Sequence, residues 1–100
     1  MKSIEEIKIE LINDVSFYYA IKPEAMGKMK NDPLLVSGLF KRVEAYEKAI
    51  KNAPVSLQAI FDYLYKKSLT QKEASTKMGI SQGYASKLNG KLLIYLQENI

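Results

Sequence analysis

Hydrophobic residues recur along most of this chain at steps of three and four, which is the period of an α-helix. No stretch alternates apolar and polar residues between hairpin turns, so the pattern predicts no β-strand. It predicts three helices before residue 68, over about 4–21, 33–52 and 55–67. The side chains expected to face a core are, helix by helix, Ile4, Ile7, Leu11, Val15 and Tyr18; Leu35, Leu39, Val43, Tyr46 and Ile50; and Leu57, Ile60, Phe61 and Leu64.

Local signals indicate where these helices begin and end. Ser3 and Glu6 form a capping-box pattern, which satisfies free amides at a helix start. Pro23 is expected to stop or kink the first helix, and residues 23–32 are interpreted as a connector or a short, poor helix. Asp32, followed by a proline, is a favourable start for the second helix.

The last third of the chain carries the sharpest local signal. A second capping box, Thr70 with Glu73, predicts a short helix over 71–78 that ends at Gly79. Ser81 can cap a longer helix that runs to about Asn99. Its expected inward residues are Tyr84 or Ala85, then Leu88, Leu92, Tyr95 and Leu96. We therefore predict an all-α fold, a small bundle of about five helices that ends in a helix-turn-helix.

Two helices that cross over a tight turn need small side chains where they approach and apolar anchors beside them. Ala74, Ser75 and Ala85 are the small residues, and Met78, Ile80 and Leu88 are the expected anchors. The outward face of the last helix is then offered to a DNA major groove. That face comprises Gln82, Gly83, Ser86 and Lys87, then Asn89 and Lys91, with Tyr84 at its edge. The same arrangement also occurs in bundles that bind nothing, and spacing alone leaves both interpretations open.

Composition narrows the chemistry. A chain of 100 residues, 47% of them hydrophobic, suits one small domain with one core. It contains no Cys and no His, which excludes disulfides, thiol nucleophiles and a Ser-His-Asp triad. We see no glycine-rich phosphate loop and no acidic cluster suited to a metal, so we expect no enzyme, no cofactor and no metal site. The longest apolar run, residues 34–36, is far too short to span a membrane, and we expect a cytoplasmic protein without a membrane partner.

Charge is unevenly distributed between the two halves of the chain. The net charge is +4; residues 1–53 hold nine basic and eight acidic residues, whereas residues 54–100 hold six and three. A modestly basic second half is compatible with a polyanionic partner such as DNA. It is also compatible with an ordinary solubility charge.

A known family pattern matches residues 69–96, from Leu69 through the turn Gly79-Ile80-Ser81-Gln82 to Leu96. This stretch resembles the region 4 helix-turn-helix of bacterial sigma-70 class factors, most of all the sporulation and stress branch, and it is similar to small phage transcriptional regulators. The resemblance extends over about 54–97, because the third helix resembles the one that precedes this unit in region 4. The matching residues are Leu69, Thr70, Glu73, Gly79, Ile80, Ser81, Gln82, Tyr84, Ser86, Lys87, Leu88, Lys91, Leu93 and Leu96.

In that family, region 4 binds the −35 promoter element in the major groove and also contacts RNA polymerase. The resemblance therefore implies a sequence-specific regulator of transcription that binds double-stranded promoter DNA, of bacterial or phage origin. Base contacts would fall to Gln82, Gly83, Tyr84, Ser86 and Lys87. Phosphate contacts would fall to Thr70, Gln71, Lys72, Ser81 and Lys91, some through helix-start amides.

The chain also departs from a complete sigma factor. Residues 1–53 form an N-terminal helical region, distinct from the DNA-binding unit of residues 54–100, and are too short for the domain that melts promoters. A stand-alone regulator, one half of a split sigma factor and an excised domain are all compatible with this. The alternative function is a protein–protein adaptor that binds RNA polymerase or a partner sigma chain, with little DNA binding of its own.

Two further groups of residues have both a structural and a functional interpretation. Phe17-Tyr18-Tyr19, together with Ile9 and Ile12, makes the apolar stripe of the first helix unusually wide, which keeps a homodimer open as an alternative to internal packing. Lys66-Lys67 is interpreted as a favourable end for the third helix rather than a binding site.

Overall fold

A computed structural model describes residues 2–21 and 33–100 of the chain, and in these ranges it contains helices and no strand. We number five helices in chain order. Helix α1 comprises Ile4–Glu10, a π-helical turn at Leu11–Ser16 and a last turn at Phe17–Ala20. Helix α2 is Pro33–Lys51, and α3 is Val55–Phe61 with a π-helical end at Asp62–Lys66. Helix α4 is Gln71–Met78, and α5 is Gln82–Asn99. The predicted small all-α bundle is confirmed. The expectations for Pro23, the 23–32 connector, the Asp32 cap and the Leu35 side chain lie outside the described residues.

The helices begin where the sequence signals indicate. At the start of α1, the Ser3 hydroxyl accepts a hydrogen bond from the Glu6 amide at 3.1 Å. Pro54, in extended backbone, precedes α3, and the Leu57 and Gln58 amides bond to its carbonyl. Each of these contacts lies within four residues along the chain, so local chemistry alone sets the helix starts.

One hydrophobic core joins α1, α2, α3 and α5, with α4 packed on it through Ala74. Most of the predicted inward residues are buried, and Ile4, Tyr18, Leu64 and Tyr95 are half-buried at its edge. Of the two residues proposed for the start of α5, Ala85 is buried and Tyr84 is exposed. Tyr65 is buried although the helical pattern did not predict it. The largest fully enclosed side chains are Tyr46, Phe61, Ile7, Leu11, Ile60, Leu92, Leu96 and Val15.

The π-helical turn in α1 keeps its buried residues in line. Ile7, Leu11 and Val15 are all fully buried although they follow one another at steps of four. In an α-helix of 3.6 residues per turn, that spacing drifts around the axis, whereas a π turn holds about 4.4 residues and removes the drift. The π turn of α1 packs against that of α3. Helix α1 therefore presents one straight apolar edge to the bundle.

Polar contacts fix α2 against α1. The Glu10 carboxylate accepts hydrogen bonds from Lys2 Nζ at 2.6 Å and from the Tyr46 hydroxyl at 2.5 Å. Arg42 Nε donates to Asp14 Oδ2 at 2.7 Å in a second ion pair one turn further along α1. Burial raises the pKa of Glu10, but the hydrogen bonds from Lys2 and Tyr46 outweigh it and the net direction is downward. The carboxylate thus stays charged at the edge of the core.

Candidate nucleic-acid interface

Helices α4 and α5 are joined by a turn of defined geometry. Gly79 adopts a left-handed conformation (φ 69°, ψ 33°), which costs glycine little because it has no Cβ. The Ile80 amide donates to the Ser75 carbonyl at 3.0 Å and the Gly79 amide to the Thr76 carbonyl at 3.3 Å. These two bonds form a Schellman motif, which closes the end of α4. The turn predicted around Gly79 is confirmed.

Small side chains let the two helices approach each other. Ala74 and Ala85 are fully buried, and Ser75 is 5% exposed. The Ser75 hydroxyl donates to the Lys72 carbonyl at 2.7 Å, so this buried polar group has a partner within its own helix. Met78 and Ile80 are half-buried and Leu88 is buried, as expected of anchors. The short helix is thereby held against the first half of α5.

The structure brings the five predicted base-contacting residues together on the exposed side of α5. All five are exposed, namely Gln82, Gly83, Tyr84, Ser86 and Lys87. Ala85, which lies among them, and Leu88, which follows them, face the core. The Ser81 hydroxyl caps this end by accepting a hydrogen bond from the Tyr84 amide at 3.1 Å. Of the amides in the first turn, that of Tyr84 is thus occupied, whereas those of Gln82 and Gly83 remain available to an anion. The N-terminal end of α5 is thus open and carries polar or small side chains, with the Tyr84 ring and its hydroxyl group among them.

The helix-turn-helix carries lysines that form no ion pair with any carboxylate of the described residues. Lys72, Lys77, Lys87 and Lys91 are exposed, and none lies within 4.0 Å of a carboxylate oxygen in the described ranges. Lys66, by contrast, lies 3.8 Å from Glu47 and 3.5 Å from Asp62. Among the other predicted phosphate contacts, Thr70 and Ser81 are exposed and Gln71 is half-buried. The unpaired lysines give this unit a net positive surface.

Glu73 places one negative charge at the start of α4. Its carboxylate accepts a hydrogen bond from the Thr70 amide, and the Thr70 hydroxyl accepts one from the Glu73 amide, each at 3.1 Å. The hydrogen bond with the Thr70 backbone has the largest effect on the pKa of Glu73, the bond with the Thr70 side chain adds to it, and together they lower that pKa. The predicted capping box is confirmed. It also means that two of the amides at this helix start are already occupied, beside the residues expected to bind phosphate.

Asn89 does not belong to the outward face on which the sequence pattern placed it. Its side chain is half-buried, and its Oδ1 accepts a hydrogen bond of 2.7 Å from the Tyr65 hydroxyl. That interpretation of Asn89 was wrong, because the amide is held by α3. A signal for Tyr65 did exist: Leu57, Phe61 and Tyr65 follow one another at steps of four, as the buried residues of α1 do.

Two absences can be stated of the described ranges, residues 2–21 and 33–100. They contain no group of three or more acidic residues placed to hold a metal ion, and no helix long and apolar enough to cross a membrane. Comparisons with protein-family models, with curated proteins and with solved structures found no match to this chain. The resemblance of about residues 54–97 to region 4 accordingly rests on the sequence alone and stays a prediction.

Proposed function

We propose that this protein binds double-stranded DNA sequence-specifically and regulates transcription, with the N-terminal half of α5 in the major groove. One observation carries the proposal: five polar or small residues lie exposed on one end of α5, which a Schellman turn and a buried Ala–Ser–Ala contact hold against α4. An α-helix presented in this way fits the width of the major groove.

The side chains on this end divide by the contact that each can make. The Gln82 amide can donate and accept at once, which suits an adenine edge, and Lys87 suits a guanine edge. Gly83 and Ser86 are short and allow the helix backbone to lie close to the bases. Tyr84, 46% exposed, offers an aromatic edge to a thymine methyl group.

Contacts to the phosphate backbone would set the register of the helix on DNA. Lys72 at the start of α4 and Lys91 in the middle of α5 are exposed at the two ends of the proposed interface, and neither forms an ion pair with a carboxylate in residues 2–21 or 33–100. Thr70, Gln71 and the amides after Ser81 add uncharged donors. Because contacts of this kind release counterions, binding should weaken steeply as salt rises.

The first test is selection from fragmented bacterial genomic DNA with the purified protein at near-physiological salt, followed by sequencing. Enrichment of a shared short motif supports the proposal. Affinity for that motif is then measured by fluorescence anisotropy against a scrambled duplex. Lys87→Glu and Gln82→Ala should each lower the specific affinity roughly 5- to 100-fold. Lys48→Glu is the matched control, because it makes the same charge change on an exposed lysine of α2.

The adaptor function predicts a different outcome. If the recovered DNA shares no motif and is lost at moderate salt, the protein is attracted only to the DNA phosphates. That result would contradict sequence-specific binding. Co-purification with RNA polymerase or a partner sigma chain that survives Lys87→Glu and Gln82→Ala would then identify the protein as an adaptor. Motif-specific DNA binding that each of the two variants weakens as expected would contradict the adaptor function, which predicts little DNA binding by this chain alone.

A further inference from the structure

The outward side of α1 carries an apolar stripe that the bundle does not use. Ile9, Ile12 and Phe17 are 55%, 54% and 48% exposed. Most large apolar side chains of this helix face inward instead, with Ile7 and Leu11 fully buried. Large, half-exposed apolar residues that cluster on one helix face commonly mark an interaction surface.

The π-helical turn aligns this stripe. Because the buried residues of α1 follow at steps of four along one edge, residues two positions further on follow at the same steps along the opposite edge. Those residues are Ile9, Asn13 and Phe17, and all three are exposed. Without the π turn, Phe17 would lie about 80° around the helix from Ile9. We call Ile9, Ile12, Asn13 and Phe17 the outer stripe.

We propose that the outer stripe is the interface of a two-fold symmetric dimer, in which α1 packs antiparallel to α1 of a second copy. A two-fold interface must be complementary to itself, so that residue i meets j and j meets i. Three members of the outer stripe have this property, because Ile9 stands four residues before Asn13 and Phe17 stands four residues after it. In the antiparallel pair, Ile9 packs on Phe17 of the second copy, and Phe17 on Ile9 of the second copy.

Asn13 lies at the symmetry axis of this arrangement. A side-chain amide carries both a donor and an acceptor, so two copies of Asn13 can bond to each other reciprocally. A single amide within an otherwise apolar helix pair fixes register and orientation, because any slip leaves it without a partner. The stripe therefore suits a second copy of this chain better than an unrelated partner.

The exposed area limits the size of the dimer interface. Three large apolar side chains, each about half exposed, offer roughly 250–300 Å² of apolar surface per copy, whereas a standard interface buries about 800 Å² per partner. The interface thus falls in the weak, small class. We expect a weak monomer–dimer equilibrium in which the dimer is populated only at high protein concentration.

Disulfide trapping tests the symmetry axis directly, because the chain contains no cysteine of its own. In Asn13→Cys, two equivalent thiols should meet at the axis and form a disulfide-linked dimer under oxidised glutathione at about 100 μM protein. Ser56→Cys, on an exposed residue of α3, is the control and should cross-link at least tenfold more slowly. Equal rates for the two variants would overturn the proposal.

Sedimentation equilibrium of the unmodified chain provides the second test. Ile9→Lys should raise the dimer Kd at least tenfold. Ile94→Lys, a matched change at a 47% exposed isoleucine of α5, should leave the Kd unchanged. Circular dichroism verifies that both variants fold. A wild-type chain that stays monomeric to 1 mM, or a dimer that only Ile94→Lys disrupts, would contradict the outer stripe. The outcome is independent of whether the protein binds DNA.

Discussion

The Tyr65 hydroxyl donates a hydrogen bond to Asn89 Oδ1 at 2.7 Å, and this bond joins α3 to the middle of α5. It ties the helix that carries the candidate DNA-contacting face to a residue 24 positions earlier in the chain. It also marks where that face ends, because Asn89 points to the bundle while Lys87 and Lys91 on either side are exposed.

Removing the Tyr65 hydroxyl should destabilise the fold. In Tyr65→Phe, the half-buried Asn89 carbonyl loses its partner, and we expect the free energy of unfolding to fall by about 1 kcal/mol. Urea unfolding followed by circular dichroism measures this change. Tyr63→Phe is the control: Tyr63 is also half-buried, and its hydroxyl makes no hydrogen bond to a described residue. An equal loss in both variants would show that the Tyr65–Asn89 bond contributes nothing specific.

Alkaline pH should destabilise the protein through Tyr46. Burial and the hydrogen bond to the Glu10 carboxylate raise the pKa of Tyr46, and burial raises that of Tyr65. In the unfolded chain a tyrosine ionises near pH 10. Since the folded pKa is the higher one, the stabilisation is complete below about pH 10 and is lost as pH rises towards the folded value. Urea unfolding at pH 9 and pH 11 should show this loss, and Tyr46→Phe should show a smaller difference between the two pH values. A wild-type difference no larger than that of Tyr46→Phe would contradict the assignment.

Two residues in left-handed backbone should respond oppositely to substitution. A methyl group on the Cα of Gly79 (φ 69°) would meet no other atom within 4 Å, so Gly79→Ala costs only backbone strain, about 1 kcal/mol. Ser68 (φ 54°) bears that strain already, so Ser68→Gly should stabilise the fold by roughly 0.5–1 kcal/mol. Thermal unfolding of the two variants and of the wild type measures whether each substitution raises or lowers the stability of the fold. Destabilisation by Ser68→Gly would mean that the serine side chain contributes more than the strain costs.

Removing the negative charge of Glu73 should strengthen DNA binding if the N-terminus of α4 lies beside a DNA phosphate in the complex. Glu73→Gln keeps a side-chain acceptor for the Thr70 amide and removes the negative charge beside it. We expect the affinity for duplex DNA to rise on the order of twofold to fivefold at low salt, and the gain to shrink as salt screens the charge. Anisotropy titrations at two salt concentrations measure this. Glu98→Gln, near the far end of α5, removes the same charge and should change little; an equal gain there would indicate a general charge effect.

Much of the fold followed from local signals. The helix starts at Ser3, Thr70 and Ser81 depend on contacts within three residues, and the turn depends on Gly79, which adopts a left-handed backbone at little cost. The exposure of Gln82, Ser86 and Lys87 followed as well, because Ala85 and Leu88 define the inward side of α5.

The sequence by itself determined the helices, their caps and the polar end of α5, since each depends on neighbours within about one helical turn. Only the tertiary structure decided the orientation of Asn89 and its hydrogen bond with Tyr65, because the two residues are distant in the chain. It also decided the π turns of α1 and α3. Buried residues spaced four apart are compatible with an α-helix and with a π-helical turn. In the fold the π turn of α1 packs against that of α3, and the π turn of α1 brings Ile9 and Phe17 onto one edge of the helix.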